Sequence, residues 1–255
     1  MAGDNTPVND DDLAELNAGS AVLEPPAIMA MALQRFRGAT ISFSGAEDVV
    51  LLHMAQATGL PFHVFTLDTG RLFPQTYRFI DQVREHFGVT VEVLFPDYRT
   101  LEPMVNDKGL TSFYRDGHHE CCQLRKVEPL RRKLSSLGAW ITGQRHDQNP
   151  ATRAHLPAFQ ADPQFFSDRL VKINPLAAWS KAQVWRYILE HQIPWNPLHA
   201  QGYVSIGCEP CTRPINPGQH EREGRWWWED AGKRECGLHL DPASAPGEEA
   251  RAISR

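Results

Sequence analysis

The stretch ATISFSGAEDVVLLHMAQATGLPFHVFTLDTGR, residues 39–71, decides the fold. It opens as a short extended run, breaks at Ser44 and Gly45, and continues through apolar residues of helical length. It breaks again at Gly59 and Pro61, then returns to an extended run ending in Asp68, Thr69 and Gly70. Strand, helix, strand at this spacing is the unit of a parallel sheet, because parallel strands can be joined only by a crossover over one face. The alternation continues outward. We expect a helix over 24–37, where Pro25 and Pro26 suit the first turn. Strands are expected over 39–44, 62–68, 90–95, 139–143 and 170–174, and helices over 48–58, 74–87 and 125–137. Ser180 with Gln183 makes a capping box that opens one more helix, to 191. The expected class is α/β, a doubly wound and mostly parallel sheet.

At 255 residues the chain can bury one core with a functional segment attached. Its 42% hydrophobic and 22% charged residues are those of a soluble globular protein. A net charge of −5 argues against a general nucleic-acid partner. No apolar run reaches the ~18 residues that a membrane span needs. Residues 1–12 are acidic, without the basic-then-apolar order of a secretory signal, so the expected location is the cytoplasm. Residues 1–20 and 240–255 are poor in bulky apolar side chains and read as disordered ends. Between them, 21–207 reads as the α/β domain. Periodicity fades after Gly202, and 208–239 is a Cys-, Arg- and Trp-rich tail.

Candidate binding residues cluster at strand ends, where an open parallel sheet places its ligand crevice. After the first strand, SFSGAEDVV (42–50) offers backbone N–H groups to a phosphate or sulfate, with Gly45 for close approach and the Ser42 and Ser44 hydroxyls as donors. No Lys follows, so the loop is not a Walker A loop. Glu47 and Asp48 put negative charge beside such an anion and must point away or bond amides at the helix start. LDTGR (67–71) ends the second strand with Asp68, Thr69 and Arg71, and GQRHDQNPATR (143–153) follows the fourth with Arg145 and Arg153 as anion-binding candidates. Strand–Gly–helix turns are common, and any one Arg can be a solvated loop residue; three strand ends carrying polar or cationic groups on one edge are the stronger signal.

The five cysteines are Cys121, Cys122, Cys208, Cys211 and Cys236. An odd count in a reducing compartment points to metal or redox chemistry rather than a disulfide framework. Two close pairs and a single read as four ligands and one free thiol. Four thiolates suit structural zinc or an iron–sulfur cluster, and the spacing leaves both open. On a helix, Cys121 would face Arg125 and Cys122 would face Lys126. Cys236 has Lys233 and Arg234 before it and His239 after it, a basic setting that raises the thiolate fraction of a thiol. Arg213, Arg222 and Arg225 could meet an anion, and Trp226, Trp227 and Trp228 read as apolar anchors of the tail.

Together SFSGAEDV, LDTGR, CCQLRKVEPL, ITGQRHDQ, INPLAAWS, GCEPC and ECGLH resemble the iron–sulfur assimilatory adenylylsulfate reductases, within the wider phosphoadenylylsulfate reductase family, over about 39–239. The resemblance implies an adenine-nucleotide α-hydrolase-like fold with a mobile C-terminal segment. It implies a [4Fe–4S] cluster on Cys121, Cys122, Cys208 and Cys211, and a phosphate loop containing Ser42, Ser44, Gly45 and Asp48. It also implies an adenosine-binding edge at Leu67 and Gly143, and basic residues Lys126, Arg153, Arg222 and Arg225 around a phosphosulfate. His239 matches a residue of the mobile segment, and Cys236 matches the nucleophile. The implied reaction takes adenosine 5′-phosphosulfate to sulfite and AMP through a Cys236 thiosulfonate, with thioredoxin as reductant, in sulfate assimilation. The loop departs from the related ATP pyrophosphatase pattern S-G-G-x-D-S, with Ala46 for the second Gly and Val49 for the last Ser, which counts against ATP-driven adenylation. The 3′-phosphorylated substrate and a nucleotide-binding redox or metal sensor are the rival readings. A homo-oligomer stays open.

Overall fold

The computed structural model describes residues 8–149, 153–162 and 170–230. Strands β1 (Thr40–Ser42), β2 (His63–Leu67), β3 (Val91–Leu94), β4 (Ala139–Ile141), β5 (Phe159–Ala161) and β6 (Val171–Ile173) form one sheet in the order β3-β2-β1-β4-β6-β5. All pairings are parallel except β5 with β6. The register sets Ile41 beside Val64 and Ile141, so these three side chains share a face. That face belongs to the larger core cluster, while Phe65 and Trp140, one residue along their strands, pack with Leu130 and Leu134 on the other. The period of two thus buries both faces, as a sheet with helices on each side requires.

Among the described residues the α-helices are α1 (Asp10–Ser20), α2 (Pro25–Arg35), α3 (Val49–Ala57), α4 (Pro74–Phe87), α5 (Tyr98–Lys108), α6 (Phe113–Asp116), α7 (His119–Cys122), α8 (Glu128–Leu134) and α9 (Lys181–Glu190). Helix α3 is apolar on nearly every side and buries Val49, Val50, Leu51, Leu52, Met54 and Ala55. The Ser180–Gln183 capping box is formed as expected.

Two expectations need correction. Residues 10–20 are not disordered: three acidic residues in the first turn sit at the positive end of α1, and Asn9 and Asp12 close a capping box. Asn17 then pairs with the backbone of β5, accepting from the Phe159 N–H at 3.0 Å and donating to its carbonyl at 2.8 Å. The helix expected over 125–137 begins earlier, at α7, and ends at Leu134 after a π-turn over Gln123–Val127. Pro129 has no N–H to give the preceding turn and its ring crowds the carbonyl four residues back; the wider turn relieves both.

The chain builds β1, β2 and β3 in one direction and then returns to place β4 on the other side of β1. The reversal leaves a crevice at the carboxyl ends of β1 and β4. No helix among the described residues is long and apolar enough to cross a membrane.

Candidate active site

The crevice is occupied by a cavity of about 230 Å³. Its floor comes from Ser42, Phe43, Ser44, Ala46, Glu47 and Asp48 at the end of β1, Leu67, Thr69 and Leu72 at the end of β2, and Thr142, Gly143, Gln144 and Gln148 after β4. Its roof comes from 204–208 and from Glu221, Arg222, Arg225 and Trp226. The tail is therefore a wall of the cavity as far as Trp226. An antiparallel bridge from Leu72 to Cys208 and a bond from the Glu209 N–H to the Arg71 carbonyl at 2.8 Å hold it to the body.

Ser42, Ser44, Asp48, Leu67, Gly143, Arg153, Arg222, Arg225 and Lys126 all line this cavity. Gly45 lies behind it. Its φ of 79° is the left-handed conformation that glycine adopts freely, and a Cβ there would stand 2.7 Å from Thr76 Cγ2. Asn196, which the sequence reading did not single out, holds this turn by donating to the Gly45 carbonyl at 2.8 Å. Gly143 has a comparable reason to be small, since its Cβ would stand 2.7 Å from Asp48 Cβ. Cys236 and His239 lie outside the described residues.

In the loop, Asp48 bonds backbone amides, one of the two arrangements expected of it. Asp48 accepts from the Ser44 N–H at 2.6 Å and the Ala46 N–H at 3.2 Å, so two of the amides offered to a ligand are taken internally. Burial, with help from Glu47, raises the Asp48 carboxyl to about 6, against those same bonds. Arg145 is also removed from the list of anion binders. It is fully buried and paired with Glu47 at 3.0 Å, Asp147 at 2.9 Å and Glu221 at 3.6 Å. Positive charge for the cavity comes instead from Lys126 after α7, Arg153 after β4, and Arg222 and Arg225 in the tail.

Beside the cavity, Cys122, Cys208 and Cys211 are buried and Cys121 partly so, in one cluster with Phe113, Trp226 and Trp228. Burial pushes the Cys121 thiol up, opposed by Arg71, Arg125 and Lys126. Cys211 is pushed up to about 12 by burial and by Cys208, with Lys126 and Arg225 opposing. Thiols in such a place stay protonated unless a cationic group draws out the thiolates. Arg125 meets Cys121, as the spacing predicts, and its Nη1 donates to the Thr69 carbonyl at 2.6 Å. The Thr69 hydroxyl lies 3.2 Å from Cys208 Sγ. The buried Nε1–H groups of Trp226 and Trp228 meet no hydrogen-bond acceptor among the described residues. Two orphaned donors amid four sulfurs fit a group that brings acceptors with it. Among the described residues, His118, His119 and Glu229 are the three whose ligand atoms lie within 4.8 Å of one another; no such group includes the cysteines. Four thiolates on one zinc would sit about 3.8 Å apart, so the cysteine set is wider than a single ion needs.

Residues 38–214 match the family model described as the phosphoadenosine phosphosulfate reductase domain. The adenosine 5′-phosphosulfate reductase of Pseudomonas aeruginosa (strain LESB58) is 55% identical over 231 residues, covering 89% of this chain and 86% of that protein. The chloroplastic 5′-adenylylsulfate reductase 1 of Arabidopsis thaliana is 51% identical over 257 residues, which are 96% of this chain and 55% of that protein. The chain thus spans about half the length of that plant relative. Among solved structures, the phosphoadenylyl-sulfate reductase of Candida auris, a phosphate complex, superposes with a TM-score of 0.69 at 29% identity, over 82% of this chain and 99% of that one. The FMN adenylyltransferase of Candida glabrata, with FAD and pyrophosphate, gives 0.53 at 16% identity over 87% and 75%, which bears on the fold alone. The fold is adenine-nucleotide α-hydrolase-like.

Proposed function

The chain belongs to the phosphoadenosine phosphosulfate reductase family, and on that premise we propose that it reduces adenosine 5′-phosphosulfate to sulfite and AMP at the expense of thioredoxin. One observation carries the reading. Lys126, Arg153, Arg222 and Arg225 converge on a nucleotide-sized crevice at the switch point of the sheet, directly beside four gathered cysteines. Four cations suit a phosphosulfate, whose two acidic groups stand side by side. The carboxylates of Glu47, Asp48 and Glu221 line the same cavity and disfavour the extra charge of a 3′-phosphate.

In this reading residues 21–207 bind the nucleotide and 208–239 complete the site and deliver Cys236, with His239 in the same segment. The Cys236 thiolate attacks the sulfur of the sulfuryl group. The bond from that sulfur to the bridging oxygen breaks, its electron pair leaves on AMP, and Cys236 becomes a thiosulfonate. Arginines already aimed at the phosphosulfate oxygens stabilise the charge that develops there without reorganising. Sulfite is released when one thiolate of the reductant attacks Cys236 Sγ, and the second thiol then displaces Cys236 to leave a disulfide in thioredoxin. Such a cycle needs a reducing compartment, which the cytoplasm supplies.

Cys121, Cys122, Cys208 and Cys211 would hold a [4Fe–4S] cluster. The orphaned indole donors, the flanking Arg71, Arg125 and Lys126, and the wide spacing of the sulfurs support it over zinc. In a two-electron thiol reaction such a group supplies fixed charge and a covalent staple between body and tail.

Intact-mass analysis tests the central step. Anaerobic protein given adenosine 5′-phosphosulfate and no reductant should gain one SO₃ on the peptide carrying Cys236 and release one AMP per chain. Reduced thioredoxin should remove that mass as sulfite, and Cys236→Ser should bind substrate without releasing any. Label on another cysteine, or sulfite from Cys236→Ser, would refute the mechanism.

A further inference from the structure

We propose that Glu229 is a positioning residue for the anion-binding cations, acting through His118 and the ring of Trp226; this rests on the reading of the cavity as the phosphosulfate site. Glu229 and His118 are 111 residues apart in sequence, yet both carboxylate oxygens engage this one partner. Oε1 accepts from the His118 backbone N–H at 2.8 Å, and Oε2 stands 2.7 Å from Nδ1. A carboxylate in this contact only accepts, so Nδ1 carries the proton. The side chains are 1% and 9% exposed, so water does not compete for the pair. Two bonds to one residue fix both the backbone and the plane of its ring.

That plane matters because of what lies on it. The His118 ring stacks on Trp226 with centroids 4.3 Å apart and planes 23° from parallel. Trp226 is fully buried at a φ of 42°, a left-handed backbone that a bulky residue keeps only when its surroundings hold it there. The Glu229 N–H donates to the Trp226 carbonyl at 2.9 Å and closes the same turn. Three cations then share the indole: the guanidinium of Arg225 lies 4.4 Å from the ring centroid, that of Arg222 5.4 Å, and Lys126 Nζ 5.9 Å. All three line the cavity. The indole is thus the platform on which three of the four cations rest, and Glu229 with His118 sets its tilt. Gly207 belongs to the same assembly, because a Cβ there would stand 2.4 Å from an Arg225 nitrogen.

His118 also precedes the cysteine-bearing helix, and its carbonyl accepts from the Cys122 N–H at 2.9 Å. A role confined to that helix is the competing explanation, and the test separates the two. Glu229→Gln in the metal-loaded enzyme keeps the size and one acceptor but presents an amide to Nδ1–H. We expect KM for adenosine 5′-phosphosulfate to rise about tenfold with kcat within about twofold, because anion contacts shared by ground and transition states are displaced. Iron content and visible absorption should match the parent. Glu92→Gln, the same change in the ion pair between Glu92 on β3 and Lys133 on α8, should leave both constants unaltered. A crystal structure of Glu229→Gln should show the Trp226 ring rotated and the Arg222 and Arg225 guanidinium groups displaced. Unchanged KM, iron lost in step with activity, or an unmoved Trp226 would each overturn the proposal. Parent protein that neither binds nor reduces the nucleotide would sink the functional reading instead, and the crystal structure would still decide the brace.

Discussion

Glu221 shows what crowding of carboxylates does at a single residue. Burial, then the neighbouring Glu47, raises its carboxyl to about 7 against the pull of Arg145. A carboxyl whose folded value lies above its unfolded one favours the fold most fully below its unfolded value of about 4.5, and that contribution is lost as pH rises to about 7. The same ionisation adds a negative charge to the wall beside Arg222, so an anionic ligand is held less tightly as pH rises through this window. Adenosine 5′-phosphosulfate should bind Cys236→Ser protein about fivefold more weakly at about pH 8 than at about pH 6, and Glu221→Gln should reduce this dependence to the part left by Asp48, raised to about 6 in the same cavity. A flat profile in the Cys236→Ser protein that keeps Glu221 would show that Glu221 stays in one charge state there.

Among elements, α1 packs Leu13 and Leu16 on the core and is hydrogen-bonded to the sheet through Asn17. Asn17→Ala removes two bonds to Phe159 and should destabilise the protein by about 1–2 kcal/mol, read as a lower thermal midpoint. No change would mean that α1 is held by its apolar contacts alone. This helix was hidden in the sequence because the acidic residues that suit a helix start also lower mean hydropathy, the mark of a disordered end. The six-stranded frame was legible, since period-two runs separated by helix-length apolar stretches have few other solutions. The crevice was legible in part: Thr69, Gly143 and Arg153, named from the strand ends, line it, while Asp68 and Arg71 do not. Arg145 was not, because an arginine at a strand end looks the same whether it faces a ligand or three carboxylates of its own chain. The widened turn over Gln123–Val127 and the pairing of Glu229 with His118 depend on packing that local sequence does not report.

At the scale of the molecule, the four gathered cysteines, the proposed cluster ligands, come as one pair from the body and one from the tail, and the tail forms much of the roof of the cavity. Stripping iron with a chelator should therefore leave the sheet folded while freeing the roof. Limited proteolysis should then cut within 208–230, in protein whose far-ultraviolet circular dichroism is little changed, and nucleotide binding should fall with iron content. Equal protease resistance with and without metal would mean that the bridge at Leu72 and the Trp226 stack hold the roof unaided. If the proposed cluster is bound, a ligand set split between body and tail would also impose an order on biosynthesis. The new chain would then leave the ribosome with its roof unpinned by metal until iron and sulfide were supplied. Under iron shortage a cell would hold full-length protein that leaves its substrate untouched, and sulfur flux would track cofactor supply before any gene is switched off.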